Sequence, residues 1–328
     1  MMELHHRPRR LRGTAGLRRM VRETRLSPEA LIYPVFVKTG TNIQEPIRSM
    51  EGHYRYSVDR LGVIFDELLS AGVTKVLFFG IPAGKDAEGS AAYQREGIIP
   101  MALRYTAQRY PELFRITDVC LCAYTNHGHC GILAGDQVDN DATLPYLAKI
   151  ARSHAQAGAQ MVAPSDMMDG RVGAIRTALD EGGYSGLPIM AYSAKYCSAF
   201  YGPFREAADS APTSGDRKTY QMDYHNQQEG VRAALRDIKE GADIVMVKPA
   251  LPYLDVIQKV TEQVDAPVAA YSVSGEYAMI KAAAREGFIN EEEAVLESAV
   301  SVFRAGASVL ISYFAPEIAQ GIAQGRIG

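Results

Sequence analysis

Eight short runs rich in β-branched and aromatic residues recur along the chain, at residues 31–37, 75–80, 115–122, 160–164, 188–193, 243–248, 267–272 and 308–314. Between them lie longer stretches of helical period, among them 59–71, 144–157, 171–181, 229–240, 253–264, 276–285 and 291–304. Strands that alternate with helices pair in parallel, because each crossover returns the chain to the same end of the sheet. Eight such units predict an α/β fold of the TIM-type (β/α)8 barrel. The joints agree. Ala71-Gly72-Val73, Ala157-Gly158-Ala159, Gly241-Ala242-Asp243 and Ala305-Gly306-Ala307 each separate a helical stretch from the next run. Glycine there ends a helix in the left-handed conformation and the strand begins at once. Such short loops belong to the stability face of a barrel, so chemistry is expected at the opposite, longer loops. The longest, at about 196–220, is rich in Gly, Pro, Ser and Asp and reads as a lid.

A chain of 328 residues with 47% apolar content fills one such barrel over residues 31–328 and leaves residues 1–30 outside it. Residues 5–25 carry eight arginines and little apolar content, so they bury no core of their own. That composition fits a mitochondrial presequence, an RNA-binding tail or an arm laid on a neighbouring subunit. Glu3, Glu23 and a net charge of −3 speak against the first two, and the arm is the expectation. So balanced a charge drives the chain onto neither nucleic acid nor an anionic membrane. No apolar run approaches spanning length and the N-terminus is charged, which predicts a cytoplasmic protein.

Two of the runs end in lysine. Residues 243–248 close on Lys248 just before Pro249, and the run at 188–193 leads to Lys195. Consecutive barrel strands are neighbours, so the two amines would meet in one pocket. Burial and a second ammonium both lower a lysine pKa, which frees the amine for Schiff-base chemistry. The third run carries Asp118, Cys120 and Cys122, residues that alternation along a strand would set on one face, and the following loop can return Cys130 to them. Three of the four cysteines within eleven residues point to a soft metal such as zinc. Three thiolates alone leave a coordination position open, as catalytic zinc requires; closure by His127 or His129 is the alternative. Cys197 stands apart and reads as a packed or lid thiol. Arg205 and Arg217 flank the lid and suit bidentate capture of a carboxylate, while Ser274 and Tyr313 end the seventh and eighth runs with neutral hydroxyls.

Together the runs Asp118-x-Cys120-x-Cys122-x-Tyr-x-x-His-Gly-His-Cys130, Tyr192-Ser-Ala-Lys195, Phe200-Tyr-Gly-Pro-Phe-Arg205, Gly215-Asp-Arg217-x-x-Tyr-Gln221-Met, Met246-Val-Lys248-Pro-x-x-x-Tyr-Leu-Asp and Val273-Ser-Gly-Glu-Tyr-Ala-Met closely resemble the porphobilinogen synthase, or 5-aminolevulinate dehydratase, family. The resemblance extends from Arg7 to beyond Tyr313. It implies condensation of two 5-aminolevulinate molecules to porphobilinogen, with loss of two waters, in tetrapyrrole (heme) biosynthesis. It further implies that Lys248 and Lys195 form Schiff bases with the first and second substrates and that Asp118 and Ser165 lie around the amino group and the metal. Cys120, Cys122 and Cys130 match the ligands of the zinc-dependent branch. Arg205, Arg217 and Gln221 match residues holding the second substrate's carboxylate, Ser274 and Tyr313 those holding the first, with Tyr201 and Tyr271 also at the substrate. The family's usual assembly, a homo-octamer in which the arm embraces a neighbour, becomes the expectation. Two positions depart from the pattern. Glu51 replaces a frequent proline in a surface turn, and Ala233 stands where magnesium-stimulated relatives carry a glutamate, so an allosteric Mg2+ is expected to be absent. A class I Schiff-base aldolase and an inactive zinc-binding barrel scaffold remain as alternatives; the first needs neither the cysteines nor Lys195, and the second gives no reason for two strand-end lysines.

Overall fold

In a computed structural model that describes residues 5–328, eight parallel strands form the barrel: β1 (Leu31–Lys38), β2 (Lys75–Ile81), β3 (Phe114–Val119), β4 (Met161–Pro164), β5 (Met190–Lys195), β6 (Ile244–Lys248), β7 (Val268–Tyr271) and β8 (Val309–Ile311). Their order around the sheet is β4-β3-β2-β1-β8-β7-β6-β5. A bridge between Val162 and Ile189, with the Val162 N–H donating to the Pro188 carbonyl at 3.1 Å, joins β4 to β5 and nearly closes the ring. The strands are buried on both faces because side chains fill the interior while helices cover the outside. This is why the eight runs read as continuous apolar stretches.

The helices are α1 (Ala15–Met20), α2 (Leu61–Ser70), α3 (Ile98–Arg109), α4 (Asn140–Gln156), α5 (Arg171–Glu181), α6 (Gly202–Ala207), α7 (Gln227–Glu240), α8 (Leu254–Thr261), α9 (Ser274–Arg285), α10 (Glu291–Arg304) and α11 (Ala315–Ala323). The glycines of all four repeated joints, Gly72, Gly158, Gly241 and Gly306, are left-handed. The helix α4 begins four residues before the expected start because the Asp139 carboxylate accepts from the Ala142 N–H at 3.0 Å and caps it there. Two short antiparallel pairs, Gln44–Pro46 with Tyr54–Tyr56 and Leu133–Ala134 with Gln137–Val138, were not expected. Strands of two or three residues leave almost no periodic signal.

Two expectations need correction. The third strand ends at Val119, so Cys120 and Cys122 lie in the turn beyond it and are brought together by that turn instead of by strand alternation. The lid is not a plain loop, since a 3-10 turn (Ala199–Tyr201) and α6 occupy its first half. Of the arm, residues 1–4 lie outside the described residues. Within the remainder α1 has no buried residue, and Arg22 donates to the backbone carbonyls of Arg326 (2.7 Å) and Gly328 (3.0 Å), fastening the arm's base to its own C-terminus.

Candidate active site

Lys195 and Lys248 are register partners at the ends of β5 and β6. A bulge makes this so. While β6 advances from Val245 to Val247, its partner on β5 advances from Ala191 to Ala194, one residue more. The extra residue breaks the alternation of faces, so Tyr192 and Lys195, three apart, both turn into the same pocket. The Lys195 Nζ lies 5.7 Å from the Tyr192 ring centroid and the Lys248 Nζ lies 5.2 Å from it. Both lysines are buried.

Aromatic rings enclose the Lys248 amine: Tyr271 at 4.2 Å, Phe204 at 4.8 Å and Tyr201 at 5.2 Å. Burial in this cage, with the Lys195 ammonium as second cause, lowers Lys248 to about 7. Lys195 donates to the Ser165 carbonyl at 2.5 Å. Burial pushes Asp118 up to about 6 against the opposing pull of the Ser165 hydroxyl and the two lysines, and one of its oxygens has no partner. The Tyr271 and Tyr313 hydroxyls hydrogen-bond each other at 3.1 Å, and the Tyr201 hydroxyl donates to the Lys248 carbonyl at 3.2 Å.

Next to this pocket the sulfurs of Cys120, Cys122 and Cys130 lie within 4.8 Å of one another, all buried. Hydrogen bonds from the Cys120 and Cys122 thiols hold Cys130 well below the ordinary thiol range, with the Arg217 charge adding to them, while Cys120 is held well above it by its hydrogen bonds with Cys122 first and Cys130 second. A tetrahedral metal with sulfur ligands at ~2.3 Å needs sulfurs ~3.8 Å apart, which this cluster reaches with a small contraction. Neither histidine joins it. His129 uses both ring nitrogens, on the Tyr220 hydroxyl and the Ser214 carbonyl at 3.0 Å each, and His127 faces the Ala87 carbonyl and the His129 N–H. The three cysteines fit a soft metal with an open position.

The lid residues divide. Gln221 is buried with both amide atoms unpaired, and the Nε atoms of Arg205 and Arg217 are likewise buried without partners. The two Nε–H groups and the Gln221 amide N–H are donors that an arriving carboxylate would satisfy. Arg217 also ties this segment to the loop after β3, donating from Nη2 to the carbonyls of Ser210 (2.5 Å) and Gly128 (2.9 Å). Ser274 starts α9, where its hydroxyl accepts from the Phe204 N–H at 2.8 Å and so ties α6 to α9. Cys197 is half-buried at the start of the lid.

The sequence pattern described as delta-aminolevulinic acid dehydratase matches residues 5–321. The chain belongs to that family. Delta-aminolevulinic acid dehydratases of Archaeoglobus fulgidus and Halalkalibacterium halodurans are 52% and 51% identical to it over 314 residues each, covering 96% of this chain and 97% and 96% of theirs. The crystal structure of the delta-aminolevulinic acid dehydratase (porphobilinogen synthase) of Toxoplasma gondii, in complex with the product porphobilinogen, superposes with a TM-score of 0.96 at 43% identity over 99% of this chain and 93% of that one. Family membership makes the chain a metal-dependent hydro-lyase of tetrapyrrole biosynthesis. Among the described residues no helix is long and apolar enough to cross a membrane.

Several residues around the lysine pair stand in the family's runs but received no role from the sequence alone. Tyr192 is hidden by the bulge, which local sequence does not announce. Phe204 sits on the unforeseen helix α6. Glu276 left no capping-box signal, because the residue three before it, at the N-cap, is Val273 and not serine or threonine.

Proposed function

We propose that the chain condenses two molecules of 5-aminolevulinate to porphobilinogen with release of two waters, through imines on Lys248 and Lys195. The observation that carries this reading is the register pairing of two buried lysines, one of them lowered to about 7 inside an aromatic cage. The Lys248 amine attacks the ketone carbon of the first substrate and Lys195 that of the second, each step expelling one water. Formation of one C–C and one C–N bond between the substrates then releases both lysines unchanged. Asp118, close to its own midpoint, is placed to hold or move a proton beside the lysine pair, with Ser165 orienting it. Ser274 and Tyr313 take the first substrate's carboxylate, with Tyr201 and Tyr271 walling its amine end. Arg205, Arg217 and Gln221 take the second, which gives their unpaired N–H donors a partner.

Cys120, Cys122 and Cys130 would hold zinc, which when bound supplies Lewis-acid polarisation to the second substrate. Residues 196–220 act as the lid over a barrel formed by residues 31–328. Residues 1–30 form the arm that contacts other subunits of a homo-octamer, and the enzyme works in the cytoplasm. The exposed Leu11, Met20 and Val21 give the arm apolar surface to bury there.

The test is incubation of purified, zinc-replete protein with 5-aminolevulinate. Formation of a pyrrole product is expected. Its absence overturns the reading, and an aldolase or an inert scaffold would give none.

A further inference from the structure

The cage and the α9 terminus are joined by a buried acid that the chemistry above does not use. Glu276 is fully buried at the third turn position of α9. Its Oε2 accepts from the Val273 N–H at 2.5 Å, which is ordinary helix capping. The other two bonds are not. Oε1 accepts from the Leu251 N–H at 2.5 Å and Oε2 from the Ala250 N–H at 3.4 Å, donors that belong to the loop immediately after Lys248 and Pro249. A capping residue needs no partner twenty-five positions away. One carboxylate thus spans the ends of β6 and β7, with a different oxygen carrying the main bond to each loop.

The bonds continue into a closed ring. Lys248 offers its carbonyl to the Tyr201 hydroxyl, Tyr201 follows Phe200 in the chain and stands three residues before Phe204, and these two meet Ser274 through the Phe204 N–H (2.8 Å) and the Phe200 carbonyl (3.5 Å). Ser274 lies two residues before Glu276. Lys248 and Ser274 are therefore tied on both sides, through the lid and through Glu276.

We infer that Glu276 is a specificity-determining positioning residue, which fixes the separation between the Lys248 amine and the Ser274 end of the pocket and so selects the length of the keto acid that binds there. The inference rests on the reading of Lys248 as imine former and Ser274 as carboxylate holder. A ketone bound covalently at one end and a carboxylate held at the other leave only the spacing between them to discriminate chain length. Glutamine cannot replace the acid. With its one oxygen in the place of Oε2 it keeps Val273 and only the long bond to Ala250, while its NH2 group is set against the Leu251 N–H and the short bond to that loop is lost. Aspartate is one methylene too short to reach both.

The probes are 4-oxopentanoate, which is the substrate without its amine, and the longer 5-oxohexanoate and 6-oxoheptanoate. Each is reduced onto the intact zinc-loaded enzyme with borohydride, and the Lys248 adduct is quantified by peptide mass spectrometry. The unmodified chain is expected to favour 4-oxopentanoate by about tenfold or more per added methylene. In Glu276→Gln and Glu276→Asp that preference should collapse toward unity while total adduct persists. An unchanged preference in folded variants overturns the inference. No Lys248 adduct in the unmodified chain overturns instead the Schiff-base reading beneath it. Should neither variant fold, hydrogen exchange on the unmodified protein decides: the amides of Ala250, Leu251 and Val273 exchanging slowly and together supports the clamp, and Leu251 exchanging far faster than Val273 refutes it.

Discussion

An amine attacks a ketone only in its unprotonated form, and Lys248 owes that form to its surroundings. A free lysine with pKa ~10.4 has about one amine in a few thousand unprotonated at pH 7; lowered to about 7, Lys248 has about half. The rate of imine trapping on Lys248 should accordingly rise as pH passes upward through about 7 and then level off. Lys195→Met removes the neighbouring ammonium, so the midpoint should move upward toward the ordinary lysine value; an unmoved midpoint would show that burial alone sets it. Between about pH 7 and that ordinary value the folded chain binds fewer protons here than the unfolded chain. Burying this amine therefore costs stability in full below about pH 7, and the cost is relieved as pH rises across that window. The two lysines were legible in the sequence because both sit where an apolar run stops. Tyr192 was not, because its orientation depends on one extra residue in β5 that only the pairing with β6 reveals.

Elements hold these residues through a few close approaches. A Cβ added to Gly275 would lie 2.5 Å from the Phe200 carbonyl oxygen and 2.7 Å from its Cα, so α9 can support the lid only without a side chain there. Gly275→Ala should cost about 1–3 kcal/mol of misfit, with the lid displaced and kcat/KM falling about tenfold or more while the circular dichroism of the barrel persists. Unchanged kinetics would mean that the lid tolerates the shift. On the other side of the pocket Arg171 is buried between Asp237 on α7 (3.1 Å) and Asp166 (3.8 Å), and it donates to the Tyr192 carbonyl in the β5 bulge at 3.1 Å. Arg171→Met would strand two buried carboxylates, and a loss of about 3–5 kcal/mol is expected by urea unfolding. A loss under 1 kcal/mol would contradict a structural role for that network. The alternation of strands with helices was readable because barrel strands are apolar on both faces. The short hairpins and α6 were not, since their few residues are ordered by contacts to other elements and not by their own periodicity.

At the scale of the whole molecule, the open questions are assembly and a second metal. A cavity of about 520 Å³ beside the lid is lined by Asp169, Glu229, Ala233 and Arg236. Ala233 is buried there with only a methyl to offer, and Arg236 pairs with Asp169 at 3.3 Å. A hard cation needs oxygen ligands. Mg2+ is therefore expected to change neither the activity nor the assembly mass of protein supplied with zinc, whereas Ala233→Glu should confer a response. Stimulation of the unmodified protein, abolished by Glu229→Ala, would show that Glu229 holds the ion instead. Removing residues 1–20, and with them the exposed Leu11 and Met20, should lower the mass of the assembly in analytical ultracentrifugation; an unchanged mass would mean that the arm makes no subunit contact.

The two-lysine site is tested most directly by borohydride reduction during turnover of 5-aminolevulinate, with peptide mass spectrometry to locate the adducts. Substrate-derived mass is expected on Lys248 and on Lys195, with the Lys248 adduct absent from Lys248→Arg, whose guanidinium stays protonated and forms no imine. Turnover to a pyrrole with no adduct on either lysine, or an equal adduct on Lys248→Arg, would contradict it.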